Sequence, residues 1–200
     1  TIDGGEINNV QYVVASISRS LILNDLSIEN ADYGALLYFC PGSMITNCYF
    51  GYKEFGIIGG WSPYLMINQN QFAQYQNPKG KIAINLFLSG NSTISGNHNI
   101  EATDVGVNLW QSPFTTVSFN IINIFGTNNQ YGGGVKLNSS SNCTIGENYL
   151  DINQSSFGVE TVGSSDSRIH NNQIDHPVLN NNNGQVKVLD YYYYYYDYYY

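Results

Sequence analysis

Apolar and polar positions along this chain repeat in a fixed frame. An aliphatic residue is followed three positions later by Asn, and two positions after that by a second apolar residue. The copies are Ile67-Asn70-Phe72, Val117-Asn120-Ile122, Ile145-Asn148-Leu150 and Ile169-Asn172-Ile174. Ile94-Asn97-Ile100 has one residue inserted, while Leu23-Leu26-Ile28 and Ile45-Cys48-Phe50 keep the apolar frame without the Asn. Successive copies begin roughly 22 to 28 residues apart, the spacing of stacked-repeat architectures. A second motif runs in phase, a Gly followed by a short alternating segment. It reads Gly34-Ala35-Leu36-Leu37, Gly56-Ile57-Ile58, Gly80-Lys81-Ile82-Ala83-Ile84, Gly106-Val107-Asn108-Leu109, Gly134-Val135-Lys136-Leu137, Gly158-Val159-Glu160-Thr161 and Gly184-Gln185-Val186-Lys187-Val188. Apolar–polar alternation predicts half-buried strands. Clusters such as Pro41-Gly42-Ser43, Trp61-Ser62-Pro63 and Asn138-Ser139-Ser140-Ser141 predict turns between them.

Each repeat therefore holds two or three short strands, and no segment carries a helical apolar stripe. One such unit cannot bury its own apolar face, whereas a stack of them builds one continuous core. A sandwich or up-and-down barrel also uses many short strands, but neither requires one motif repeated in phase. The pattern predicts an all-β solenoid.

The stacked Ile-x-x-Asn-x-Ile and Gly-Val-x-Leu units, from Leu21 to Leu189, resemble the right-handed parallel β-helix proteins of the pectate-lyase-like superfold. Thr1-Ile2-Asp3-Gly4-Gly5 looks like an early coil of that fold. The resemblance implies a single-stranded parallel β-helix of about seven coils over residues 1–190, roughly 34 Å long at strand spacing. It does not choose an activity, because that superfold hosts pectate lyases, polygalacturonases, sugar epimerases, phage tailspikes and adhesins. The chain opens in mid-coil, which reads as a domain lacking part of its N-terminal region. The tract 191–200 is Tyr except for Asp197. It reads as placeholder residues in preference to an aggregation-prone adhesive tail.

Asn tolerates the left-handed backbone and hydrogen-bonds neighbouring main chain. Asn70, Asn97, Asn120, Asn148 and Asn172, stacked at strand spacing, are expected to form a structural ladder rather than a ligand row.

Side chains alternate along a strand, so the repeats also predict what faces outward. One outward row reads Leu36, Ile58, Ala83, Asn108, Lys136, Glu160, Lys187. A second reads Ile22, Met44, Met66, Thr93, Thr116, Thr144, Arg168. Both change from apolar to polar between the third and fourth coils. Exposed apolar strips call for a partner. Ile22, Leu36, Met44, Ile58 and Met66 are therefore candidates for an interface in a homo-oligomer or larger assembly, with covering loops of the same chain as the alternative. In the polar half Lys136, Glu160 and Lys187 form an alternating-charge row. As structure that row is worth about 0–1 kcal/mol per pair; as chemistry it is a sugar-binding or general-base group.

Trp61-Ser62-Pro63-Tyr64 and Trp110-Gln111-Ser112-Pro113-Phe114 follow their strands two coils apart, about 10 Å at strand spacing. Aromatic rings stack on the apolar faces of sugars, and the alternative is that they cap the turns. Trp61, Tyr64, Trp110 and Phe114, with Asn108, Lys136, Glu160 and Lys187, are the glycan-binding candidates.

Composition narrows the partners. The net charge is −8, and Arg occurs only as Arg19 and Arg168, so the basic footprint of a nucleic-acid binder is missing. No apolar run is long enough to span a membrane. Low charge with abundant Asn, Ser, Gly and Tyr points to an extracellular, cell-surface or virion protein. Sequons at Asn91, Asn138, Asn142 and Asn153 occur about as often as chance predicts in so Asn-rich a chain.

Catalytic signatures are weak. Glycosidases need two carboxylates flanking one bond, and the acidic groups are Asp25, Glu29 and Asp32 in one place and Glu101 with Asp104 in another. Neither resembles the Asn-x-Asp, Asp-Asp, His-Gly and Arg-x-Lys set of the polygalacturonase branch, and an Arg-rich lyase motif is missing. His98, His170 and His176 read as surface or turn residues. Cys40, Cys48 and Cys143 lack zinc spacing and read as buried thiols, with a Cys40–Cys48 bridge the weaker alternative. No metal or cofactor is expected. The sequence leaves two functions: a non-enzymatic β-helix module for glycan binding, attachment or spike assembly, and a polysaccharide lyase, hydrolase or epimerase.

Overall fold

The structure, a computed structural model, describes residues 1–74, 81–125, 132–152 and 157–175, and the backbone of the strand Val186–Leu189. Gly80, Gly184, His176, the Asn153 sequon and the Tyr-rich tract fall outside the described residues. Strands account for all of the regular structure described, and they wind into a parallel solenoid of about seven turns. Each turn contributes a strand to three faces. The first face stacks Met44–Thr46, Met66–Asn68, Thr93–Ser95, Thr116–Ser118, Thr144–Gly146 and Arg168–His170. The second stacks Gln71–Gln74, His98–Ala102, Ile121–Ile124, Tyr149–Ile152 and Gln173–Asp175. The third stacks Ile82–Phe87, Val105–Trp110, Gly133–Asn138, Phe157–Val162 and Val186–Leu189. Ile22–Tyr38 runs through all three faces of its turn, and Tyr49–Gly60 through two. Ile2–Asn8 and Tyr12–Ile17 add an earlier turn.

In-register parallel pairing places each inward residue over its counterpart one turn away. The core is therefore columns of like side chains. Leu23, Ile45, Ile67, Ile94, Val117 and Ile145 fill one; Ile28, Phe50, Phe72, Ile100, Ile122 and Leu150 fill another. The Phe50 and Phe72 rings stack with centroids 5.1 Å apart. Fully burying each such side chain is worth about 1.5–3 kcal/mol. The residue inserted in the Ile94-Asn97-Ile100 copy is absorbed as a bulge, where Asn99 takes a left-handed conformation (φ 54°) and the pairing shifts between His98 and Ile100.

Between faces the chain turns through single left-handed residues, and these too stack. One column is Asn47, Gln69, Gly96, Phe119, Glu147 and Asn171; a second is Phe39, Trp61, Leu88, Gln111 and Ser139; a third is Gly42, Tyr64, Asn91, Phe114, Asn142 and Asp166. The left-handed residue at the first corner thus precedes the ladder Asn. Backbone tolerance is not what that Asn supplies. It supplies hydrogen bonds in the interior. Asn120 Oδ1 accepts from the Asn97 backbone N–H (3.1 Å) and from Asn97 Nδ2 (2.9 Å). Asn120 Nδ2 in turn donates to Ile94 O and Asn148 Oδ1, both at 3.0 Å. The same bonds recur from Asn70 to Asn172. Leu26 and Cys48 are buried at this slot in the early turns, and the Cys48 N–H still donates to Asn70 Oδ1.

A second inside ladder lines the corner after the third face. The N–H groups of Cys40, Ser62, Ser89, Ser112 and Ser140 donate in turn to the hydroxyls of Ser62, Ser89, Ser112, Ser140 and Ser164. All three cysteines are free and buried, so no Cys40–Cys48 bridge exists. Cys40 replaces a ladder serine and Cys48 a ladder asparagine. Burial raises the thiol pKa of Cys48 and Cys143.

The glycine at the start of the third-face segments, at Gly34, Gly56, Gly106, Gly134 and Gly158, is a contact requirement. A Cβ on Gly106 would lie 2.4 Å from Ile122 Cγ2 and 2.8 Å from Gly134 O. In the third motif copy Ala83 occupies this slot, since Gly56, one turn earlier, would set its Cβ 2.6 Å from Ala83 O. Ala83 is therefore fully buried, not outward, and the outward residue of that turn is Asn85, which pairs with Ile58 and Asn108.

Asn120→Ala leaves the buried Asn97 N–H without its acceptor and Asn97 Nδ2 with Ile67 O alone. It is expected to lower the unfolding free energy in urea by about 3 kcal/mol, whereas Asn8→Ala at an exposed position should change it by less than about 0.5 kcal/mol.

Candidate functional site: a groove on the third face

The third face presents three outward rows along the solenoid axis. The first is apolar: Tyr12, Tyr33 and Phe55 stack at centroid distances of 5.0 and 5.8 Å, and Ile82 and Val105 continue the row. The middle row reads Leu36, Ile58, Asn85, Asn108, Lys136, Glu160, with Lys187 next in backbone register. The Lys187 side chain lies outside the described residues. The last row is Tyr38, Gly60, Phe87, Trp110, Asn138. With Asn85 in its true slot, the middle row turns polar one coil earlier than the sequence pattern implied. On the first face the change does fall between Met66 and Thr93.

Where a polar middle row runs between apolar borders, a groove opens. It holds about 570 Å³ and is lined by Ile82, Asp104, Val105, Asn108, Trp110, Lys136 and Asn138. Asn108 Nδ2 donates to Asn85 Oδ1 at 2.7 Å. One turn further, Lys136 Nζ and Glu160 Oε2 are 2.9 Å apart. The Glu160 side chain is only 7% exposed and that of Lys136 24%, so this pair is largely shielded from water. The Lys136 ammonium also lies 6.0 Å from the centroid of the Phe157 ring. Phe157 reaches that position across Gly133, whose missing Cβ would otherwise sit 2.3 Å from Phe157 Cδ2.

The two tryptophans have different surroundings. Gly60 leaves an empty slot into which the Phe87 ring folds, within 2.3 Å of where a Gly60 Cβ would stand. Phe87 then meets Trp61 edge-on at 4.7 Å and Tyr38 at 5.8 Å, while Phe39 stacks on Trp61 at 5.3 Å. Trp61 is thus engaged by other rings. Trp110 is 51% exposed, makes no ring contact among the described residues, and borders the groove. Tyr64 and Phe114 share one left-handed turn column, exposed and away from the groove lining.

Of the apolar outward residues, Ile22 and Met66 are exposed, Met44 and Leu36 half-buried. Ile58 is 8% exposed and is not available to a partner. It sits between the Phe55 row and the row in which Phe87 covers Gly60.

Three of the acidic residues singled out in the sequence have different surroundings. Asp104 lines the groove, whereas Glu101 accepts a hydrogen bond from Asn99 Nδ2 on the second face. Asp32 pairs with Lys53 at 3.2 Å. The Glu54 carboxylate, 2.8 Å from Lys81, holds the Lys81 ammonium above its usual pKa. His98 is exposed on the second face, and His170 lies over Gly146, 3.9 Å from Glu147. Tyr52 is buried and donates to Glu101 O; burial first, and the Glu101 carboxylate second, push its hydroxyl well above the ordinary phenol pKa. Among the described residues no cluster of His, Cys, Asp and Glu is arranged to hold a metal, and no helix is long and apolar enough to cross a membrane. Asn85, Asn138 and the Ile82–Val105 border were missed as site residues. The signal for Asn85 was present, because aligning Ala83 with the glycines puts Asn85 beside Asn108.

The sequence profile of the family described as right-handed β-helix region matches residues 1–174, and the chain belongs to that family. A comparison with curated proteins finds no match.

The differing surroundings of the tryptophans predict differing stability costs. Trp61→Ala removes the centre of a ring cluster and should cost about 2 kcal/mol in urea unfolding. Trp110→Ala should cost less than about 1 kcal/mol.

Proposed function

We propose that this right-handed β-helix protein is an extracellular, cell-surface or virion module that holds a glycan chain along its third face. The observation that carries this reading is the convergence, in one groove, of an exposed Trp110 ring with the amides of Asn108 and Asn138 and the ammonium of Lys136, which Glu160 holds from beside the groove. Binding sites combine apolar lining with a few placed polar groups. A sugar ring offers the same mixture, with C–H faces that stack on an indole and hydroxyls that exchange hydrogen bonds with amides. The amide and charged rows run parallel to the axis at strand spacing, which suits an extended chain better than a compact metabolite. Exposed Ile22 and Met66, with Phe39 and Tyr64 beyond the neighbouring corner, support self-association of the module through that side.

Asp104 and Glu160 in or beside the groove favour a second reading, in which the site cleaves or modifies the glycan it binds. Proton transfer requires a carboxyl or amine within reach of the reacting atom. Lys136 and Glu160 are engaged with each other, which supports binding over chemistry.

Affinity electrophoresis through gels containing single polysaccharides, run beside assays for new reducing ends and unsaturated uronates, tests both. The expected result is retardation by at least one polymer without product release, weakened about tenfold in Trp110→Ala. Retardation that Trp110→Ala leaves unchanged would remove the groove from the account, and product release would replace binding by catalysis.

A further inference from the structure

The cations of this surface have a common arrangement. Each lysine whose side chain is described is bound to a carboxylate of an adjacent turn: Lys53 to Asp32, Lys81 to Glu54 and Lys136 to Glu160, at 3.2, 2.8 and 2.9 Å. Of these only Lys136 lines the groove, and its partner Glu160 is the most enclosed carboxylate of the three pairs. The groove lining adds Asp104. Among the described side chains Lys136 stands against Glu160 and Asp104, and Asp104 also acts on Lys81, which Glu54 already holds. The arginines stand elsewhere. Arg168 lies on the first face and Arg19 between the Tyr12–Ile17 and Ile22–Tyr38 strands. Recognition of carboxylate or sulfate draws on Arg forks or an unneutralised Lys, and the whole chain carries net charge −8, which repels a polyanion before contact. What the groove offers instead is neutral: the Asn108 amide of the middle row, bonded to Asn85 beside the groove, and the Asn138 amide and Trp110 ring of the last row.

We infer that the groove selects a neutral glycan and rejects uronate-rich or sulfated ones, and that Glu160 sets this selectivity by neutralising Lys136. The inference rests on the glycan-binding reading above and adds the chemical class of the ligand. It makes Glu160 a specificity determinant that acts through Lys136.

Affinity electrophoresis at physiological salt tests it, with xylan, galactomannan and a β-1,3-glucan as neutral probes and polygalacturonate and alginate as anionic ones. The wild type should be retarded by at least one neutral polymer and by neither polyuronate. Glu160→Gln, which keeps the shape of the side chain but releases the Lys136 charge, should gain retardation by polygalacturonate, and Lys136→Met/Glu160→Gln should lose that gain. A merely structural role for Glu160 would not produce a gain that Lys136→Met cancels. Wild-type retardation by a polyuronate at or above that by every neutral polymer, abolished by Lys136→Met, would overturn the selectivity while leaving the groove as a glycan site. A Glu160→Gln variant that stays folded by circular dichroism without acquiring polyuronate binding would overturn the role of Glu160. Retardation by no polymer of either class would overturn the glycan reading and the inference together.

Discussion

The corner hydrogen bonds constrain everything else in this molecule. A solenoid that turns within a few residues must bury backbone N–H groups at its corners, away from the strand ladders that would otherwise satisfy them, and an orphaned buried donor costs about 1–3 kcal/mol. Here the N–H of one turn is answered by a side chain of the next: by Asn97, Asn120, Asn148 and Asn172 at one corner, and by Ser62, Ser89, Ser112, Ser140 and Ser164 at another. Each acceptor is a short side chain at a fixed slot. A slip of one residue would remove the acceptor and turn the inward columns outward. The ladders therefore fix register as well as supplying stability.

Fixed register makes the outer surface programmable. Once every turn repeats its slots, the row beginning Leu36 and Ile58 and continuing Asn85, Asn108, Lys136 and Glu160 is a linear display read along the axis. Two missing side chains then shape the display. Gly60 lets Phe87 fold against Trp61 and Tyr38, and Gly133 lets Phe157 lie across to the Lys136 ammonium. Trp110 has no such neighbour and stays exposed at the groove edge. The chemistry of the site follows from which slots are empty as much as from which are filled.

The sequence was most legible where one residue type recurs in phase. The Ile-x-x-Asn-x-Ile frame located the solenoid, the inward columns and the Asn ladder, because parallel stacking demands the same solution from every turn. The serine ladder was hidden. Ser62, Ser89, Ser112, Ser140 and Ser164 sit among Pro, Gly and Asn that also signal turns, and nothing in composition separates a buried hydroxyl from an exposed one. Ala83 was misplaced because Gly80 offered a closer match to the motif than a one-carbon departure from glycine did. Taking Gly80 as the motif glycine moves Asn85 out of the row and so hides the residue that bonds the groove's Asn108. The enclosure of Ile58 was equally unreadable, since it depends on the Phe87 ring crossing an empty slot one turn away.

Native-state hydrogen exchange of the corner amides tests the central claim, that side chains of neighbouring turns lock the corners. The backbone N–H groups of Asn97, Asn120 and Asn148 donate to Asn side chains rather than to strand partners. They should exchange only through global unfolding, as slowly as the strand amides of Val107 and Val135. Exchange at the rate of unprotected turn amides, while the strands stay protected, would show that the corners open independently and would contradict the account.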